Sequence, residues 1–113
     1  MSILLFRIMS REDWRQFQSS GIFAGSGLDR ADGFIHLSTK HQVSGTLQRY
    51  FQGRDDQVLV SLDPEKLESN LLKWEISRDN EKFPHYYADL PLGAVGHAHD
   101  LKLDRNGKHI IPL

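Results

Sequence analysis

The sequence predicts an α+β domain, with most of its helix early and most of its strand late. Residues 10–20 and 40–52 carry apolar side chains at helical spacing, and both lie in the first half of the chain. Alternating or β-branched runs surround them and crowd the second half. Read in order, the elements are β-α-β-α-β-β-(β)-β-β.

The opening run, residues 3–9, is the first strand. Leu4, Phe6 and Ile8 share one face, and Leu5, Arg7 and Met9 share the other. Ser10 is placed to cap a helix whose first turn carries Glu12 and Asp13. Trp14 and Phe17 bury one side of that helix, and Gly21 stops it. Residues 22–33 hold Gly25, Gly27 and Gly33 with little periodicity, so they read as a loop. A strand over 34–38 follows. Thr39 and Gln42 have capping-box spacing, and Val43, Leu47, Tyr50 and Phe51 repeat as one helical face. Gly53 ends that helix.

Residues 57–62 are nearly all apolar, as in a strand buried on both faces. Asp63-Pro64 opens a single helical turn. Residues 71–76 alternate, with Leu72, Trp74 and Ile76 on one side and Lys73 and Glu75 on the other, so Trp74 reads as core. Residues 77–82 are a polar loop. Pro84 interrupts the aromatic segment 83–87, which therefore reads as an edge or a loop. Residues 93–103 form a strand. Asn106-Gly107 centres a hairpin turn over 104–107, and 109–113 is the return strand.

At 113 residues, the chain fits one domain, residues 1–113. Its hydrophobic fraction of 39% and charged fraction of 26% are ordinary for a globular protein. A net charge of -1 gives no signature of nucleic acid or an anionic membrane as partner. The lack of cysteine excludes disulfides, thiolate metal sites and a cysteine nucleophile. Met1 to Arg7 has no basic lead-in and no small-residue cleavage site, so it reads as strand and not as a signal peptide. No run is long enough to span a bilayer. The expectation is a cytoplasmic protein of unassigned oligomeric state.

The segment Asp32-Gly33-Phe34-Ile35-His36-Leu37-Ser38-Thr39 carries most of the functional argument. Strand alternation sends Ile35 and Leu37 to a core, and Phe34, His36 and Ser38 to the opposite face, as on the floor of a ligand cleft. An imidazole can donate to or accept from a ribose hydroxyl. Thr39 stands where a ligand hydroxyl contact or a plain helix cap would both fit. His36 has two readings as well, a satisfied half-buried histidine or a ligand contact. Arg7 interrupts an apolar strand, so it either snorkels at an edge or anchors a phosphate or carboxylate.

The second cluster is Trp74, Glu75, Arg78 and the Phe83-Pro84-His85-Tyr86-Tyr87 segment. Glu75 is suited to stabilise a developing positive charge or act as a base, or it simply pairs with Lys73 or Arg78 at the surface. His85 and Tyr86 either cover a ligand ring or pack a loop. His97 and His99 share a strand face but lack a clear carboxylate partner, so no metal site is assigned. The chain has no phosphate-cradling glycine motif and no nucleophile elbow.

These blocks resemble a known family. Leu5-Phe6-Arg7-Ile8, Leu28 through Thr39, Val58-Leu59-Val60, Leu72-Lys73-Trp74-Glu75 and Phe83 through Leu92 are similar to the bacterial family called domain of unknown function 952. The resemblance spans essentially the whole chain. Asp-Gly-Phe-Ile-His-Leu-Ser and Phe-Pro-His are its most specific motifs. It implies a fold similar to the ADP-ribosyltransferases and the RNA 2′-phosphotransferases: a split, curved sheet with two main helices in the N-terminal half.

The same resemblance implies binding of NAD, ADP-ribose or a related nucleotide, with possible ADP-ribosyl- or phosphotransferase chemistry. Phe34 through Ser38 resembles the His-Val-His-Leu-Ser block of the phosphotransferases. Arg7 stands where such enzymes often hold a ribose with histidine. On this reading Arg7, His36, Ser38, Thr39, His85 and Tyr86 bind the ligand, and Glu75 and His36 are the catalytic candidates. NAD is the only cofactor suggested. The alternative is a non-enzymatic module that keeps the fold and binds a small molecule or a protein.

Overall fold

A computed structural model describes residues 3–113. Met1 and Ser2, at the head of the opening apolar run, lie outside the described residues. The order is β1 (Leu5–Ser10), α1 (Arg11–Ser20), β2 (Ile22–Phe23), α2 (Gly27–Asp32), β3 (Ile35–His36), α3 (Val43–Tyr50), β4 (Gln57–Leu62), β5 (Leu72–Ile76), β6 (Lys82–Tyr86), β7 (Leu90–Pro91) and β8 (Val95–Asp100). Short 3-10 turns link several of these. The α+β reading holds, with the two longer helices in the first half.

The strands form three antiparallel sheets, ordered β1-β4-β8, β2-β7 and β3-β6-β5. A single bridge joins the two larger ones. Phe6 and Ser38 exchange both backbone hydrogen bonds, each 2.8 Å long. Beyond that pair the two sheets part, and the opening between them becomes the cleft described below.

β4 is the central strand of its sheet and is buried along its whole length. Val58, Val60 and Leu62 join Leu5, Met9, Phe17, Ile35, Leu37 and Tyr86 in the larger core. Leu59 faces the other way, against Phe6, Ile8, Val43, Leu47 and Leu101. Thus α1 covers one face of the first sheet and α3 the other. Ser10 caps α1, accepting the Asp13 N–H at 3.0 Å, and Gly21 closes it. Capping at Thr39 also holds: Gln42 Oε1 accepts the Thr39 N–H at 3.0 Å. The turn Lys40–Gln42 is 3-10, and the α-helix proper starts at Val43.

Four expectations need correction. The loop expected over residues 22–33 contains a short strand and a helix of six residues. No apolar repeat marked α2, because it is held by a side chain: Asp29 Oδ2 accepts the Ser26 N–H at 2.7 Å. The segment 83–87 is not an edge or a loop, because β6 is the middle strand of its sheet. Pro84 fits there because its carbonyl faces β3, accepting the Leu37 N–H at 3.0 Å. The missing proline donor falls on that same side, just past the last pair of the β3–β6 ladder.

Trp74 is not core: it is 47% exposed and Ile76 63%. Both share a face with the partly buried Leu72, as the alternation says, but the strand runs past the end of the core. Finally, the last strand ends at Asp100, and the expected return strand 109–113 is reduced to one bridge, Leu103 to His109. The turn itself forms, with Gly107 donating to Asp104 at 3.0 Å. Among the described residues no helix is long and apolar enough to cross a membrane.

Candidate functional site

The polar face of the β3-β6-β5 sheet carries Phe34, His36 and Ser38 from the β3 segment. His85 pairs with His36 across the ladder, and Glu75 pairs with Phe83. This face, the Arg7 end of β1, α2 and α3 enclose a cleft of about 410 Å³. Arg7, His36, Ser38 and His85 all line it, as do Asp29, Asp32, Thr46 and Arg78.

At one end stands a buried charge network. Asp29 Oδ1 accepts from Arg7 Nη1 at 2.7 Å, from the His36 backbone N–H at 2.9 Å and from His36 Nδ1 at 2.8 Å. Its other oxygen accepts from Ser26 N–H and Oγ. Burial alone would push the Asp29 carboxyl up. The hydrogen bonds from His36 and Arg7 and the guanidinium charge outweigh it, holding the carboxyl far below the usual carboxylate range. Gly25 makes this packing possible. Its φ is +105°, and a Cβ there would lie 2.8 Å from Asp29 Cβ.

Arg7 is therefore committed to the protein. Besides Asp29 it donates to the His36 carbonyl at 3.1 Å and to Ser26 Oγ at 2.9 Å, and its guanidinium lies over the Phe23 ring. It shapes the cleft by holding α2 and β3 together. His36 continues outward: its Nε2 lies 2.9 Å from Asp32 Oδ2 at the cleft mouth. Each ring nitrogen of His36 thus has a carboxylate oxygen within hydrogen-bond distance, so both are placed to donate.

The opposite wall is Arg78. Its side chain is only 11% exposed. Nη1 donates to Thr46 Oγ1 at 3.2 Å, the guanidinium lies over the Phe83 ring, and Nη2 rests against Gly45 on α3. The carboxylate of Asp79 stands 3.7 Å from Nε and is itself largely in solvent. Thr46 Oγ1 donates to the Gln42 carbonyl, so Ser38 Oγ, 3.3 Å away, is the donor in that pair.

His85 forms the floor. Phe34 stacks on it with ring centres 4.0 Å apart and planes 25° apart. Its Nδ1 lies 2.9 Å from Glu75 Oε1, which also accepts the Tyr87 hydroxyl at 2.6 Å. The Tyr87 and His85 hydrogen bonds hold the Glu75 carboxyl below its ordinary value, and the same carboxylate pushes the Tyr87 phenol up. Glu75 itself is not part of the cleft lining.

The remaining nominated residues lie elsewhere. Thr39 caps the turn before α3, away from the cleft lining. Tyr86 is in the larger core, its hydroxyl accepting the Glu68 N–H at 3.1 Å. Sequence reasoning missed Asp29, Asp32, Thr46 and, as a cleft residue, Arg78. Only Ser26-Asp29 spacing, a capping box, could have pointed to Asp29. His97 and His99 stack on the exposed face of β8 with ring centres 6.0 Å apart. Among the described residues no group of three or more potential ligands converges as a metal site.

The geometry defines an α+β protein with a ligand-sized cleft at the seam between two sheets. The chain belongs to the family described as protein of unknown function DUF952, whose model matches residues 8–98. It is similar to the crystal structure of protein CC0527 from Caulobacter crescentus, with 40% identity and a TM-score of 0.89 over 95% of this chain and 93% of that one. The solution structure of CC0527 gives 41% identity and a TM-score of 0.83 over 93% and 90% of the two chains. No curated protein matches the chain.

Proposed function

We propose that the cleft binds a nucleotide-like ligand through its phosphate, with Arg78 as the anchor. The observation that carries this reading is the state of Arg78. A guanidinium mostly withdrawn from water makes one hydrogen bond, to a hydroxyl, and its ion pair with the solvent-facing Asp79 is a loose one, 3.7 Å from Nε, which leaves Nη2 without an acceptor. Withdrawing such a charge costs several kcal/mol in order-of-magnitude terms unless an anion offsets it, and a phosphate accepts from a guanidinium in bidentate fashion. Ser38 and His36 stand beside the position such a phosphate would take and suit a ribose. Tyr50, on the cleft lining and half exposed, offers an aromatic surface to a base.

The resemblance to the ADP-ribosyltransferases and RNA 2′-phosphotransferases makes ADP-ribose and NAD the ligands to test first. Arg7, bonded to Asp29 and to the His36 carbonyl, supports those two residues and leaves the phosphate to Arg78. Calorimetry with ADP-ribose and NAD should show binding by the wild-type protein and at least roughly tenfold weaker binding by Arg78→Ala. No heat at millimolar ligand, in a folded sample, ends the proposal.

A second reading is favoured by the position of Glu75. A carboxylate outside the cleft lining cannot touch a developing oxocarbenium centre. That supports a module that binds without cleaving a glycosidic bond. On that reading Glu75→Ala leaves nucleotide affinity nearly unchanged, and NAD is not consumed.

A further inference from the structure

We propose that the cleft hydrolyses a phosphodiester, with His85 as general base and His36 as general acid. The proposal rests on the phosphate-binding reading and adds chemistry to the same site.

The two imidazoles are held in opposite roles by different partners. His85 Nδ1 donates to Glu75, which leaves Nε2, turned away from Glu75, as the nitrogen that takes a proton from the cleft. Nε2 makes no hydrogen bond to the described residues, and the ring lines the cleft. His36 has a carboxylate on each ring nitrogen, the arrangement of a proton donor. The ring centres are 5.6 Å apart, edge to face, and Arg78 borders the same space. One base, one acid and one guanidinium bordering the same cleft are the parts that phosphodiester hydrolysis requires.

The step balances as follows. A water oxygen bonds to phosphorus while its proton passes to His85 Nε2. The bond from phosphorus to the leaving oxygen breaks, and that oxygen takes the proton from His36 Nε2 as Asp32 releases it. A diester and water become a monoester and an alcohol. The proton gained at His85 and the one lost at His36 are exchanged with solvent. Arg78 holds the non-bridging oxygens throughout. Glu75 touches no reacting atom, so it is a positioning residue, fixing the tautomer of His85.

Two substrates separate the roles. Thymidine 5′-(p-nitrophenyl phosphate) has a leaving group that needs no proton, whereas the alkoxide leaving from 2′,3′-cyclic AMP does. Wild-type protein should hydrolyse both. His85→Gln should slow both by roughly 10²–10⁴-fold. His36→Asn should slow the cyclic ester by a similar factor and the aryl ester little. Should His36→Asn fail to fold, Asp32→Asn at the cleft mouth makes the same distinction at pH 8, with the buried network intact. Glu75→Gln should lower kcat and leave KM unchanged.

If wild-type protein binds AMP by calorimetry but hydrolyses neither ester, the acid–base assignment is wrong while the binding reading stands. If neither heat nor turnover is found, both are wrong. If the His36 and Asp32 variants slow the two esters equally, His36 is not the acid.

Discussion

Asp29 holds His36 twice through one oxygen, accepting its backbone N–H at 2.9 Å and its ring Nδ1 at 2.8 Å. One carboxylate thus sets both the path of β3 and the orientation of the imidazole above it. The same oxygen neutralises Arg7, which is buried on the neighbouring strand. β1, α2 and β3 meet on that single atom. Asp29→Asn keeps the shape but leaves the guanidinium without its counter-charge. The expected cost is about 3–5 kcal/mol of folding stability, read as a shift in urea midpoint at unchanged slope. A cost below about 1 kcal/mol would mean that water reaches Arg7 and the network is not closed.

The same carboxyl predicts an acid limb in stability. Its folded-state value is depressed, so its contribution is complete above the unfolded value of about 4. Below that pH the unfolded chain binds a proton that the folded chain refuses, and stability falls as pH falls. Urea midpoints measured from pH 5 down to pH 2.5 should therefore drop in the wild-type protein. In Asp29→Asn the drop should be shallower, with the remaining slope coming from other carboxylates such as Glu12 and Asp56, which are also held low. Equal slopes in the two proteins would remove Asp29 as the source.

Gly45 interrupts α3 at a place where alanine would favour the helix by about 1 kcal/mol. Its absence of a side chain has a visible use. A Cβ there would stand 3.1 Å from Arg78 Nη2, so the guanidinium must shift to admit it. Arg78 is the far end of a flexible side chain, and the shift costs the fold little. Gly45→Ala should then raise the melting temperature by about 4 °C. It should also weaken ADP-ribose binding several-fold, because the anchor moves. A gain in stability with unchanged affinity would separate Gly45 from the proposed anion contact and weaken the case for Arg78.

Periodic features were legible in the sequence because burial of one face is a local property. The two main helices, the caps at Ser10 and Thr39, and the alternation that turned His36 and Ser38 away from Ile35 and Leu37 all followed from spacing. The meeting of Arg7, His36, Ser38 and His85 in one cleft was also within reach, since each interrupts an apolar pattern. The partners that decide what those residues do were not. Asp29 lies in a segment without periodicity, held by a side-chain cap. Arg78 opens a turn in which Asp79 and Asn80 take positive φ, and nothing nearby in sequence says it will lie on α3. Tyr86 alternates correctly with His85, yet which of the two meets the core depends on how β6 sits between β3 and β5. The central place of β6 was hidden by Pro84, whose missing donor happens to face the end of a ladder.

Trp74 shows the limit of face reasoning most plainly, because its alternation is right and its burial is not. It shares a side of β5 with Leu72, but β5 is the outer strand of its sheet and the core ends before position 74. A tryptophan truly in the core would cost about 3–5 kcal/mol on truncation. Here the ring is nearly half in solvent, and Trp74→Ser should cost about 1 kcal/mol or less. Chemical denaturation followed by circular dichroism measures this without relying on the removed fluorophore. The remaining tryptophan, Trp14, packs edge-on against Phe17 at 5.7 Å and still reports the core in the variant. A loss near the core value would require that something covers this face of β5 in solution. In that case the apparent stability should also rise with protein concentration, as it does wherever association is linked to folding.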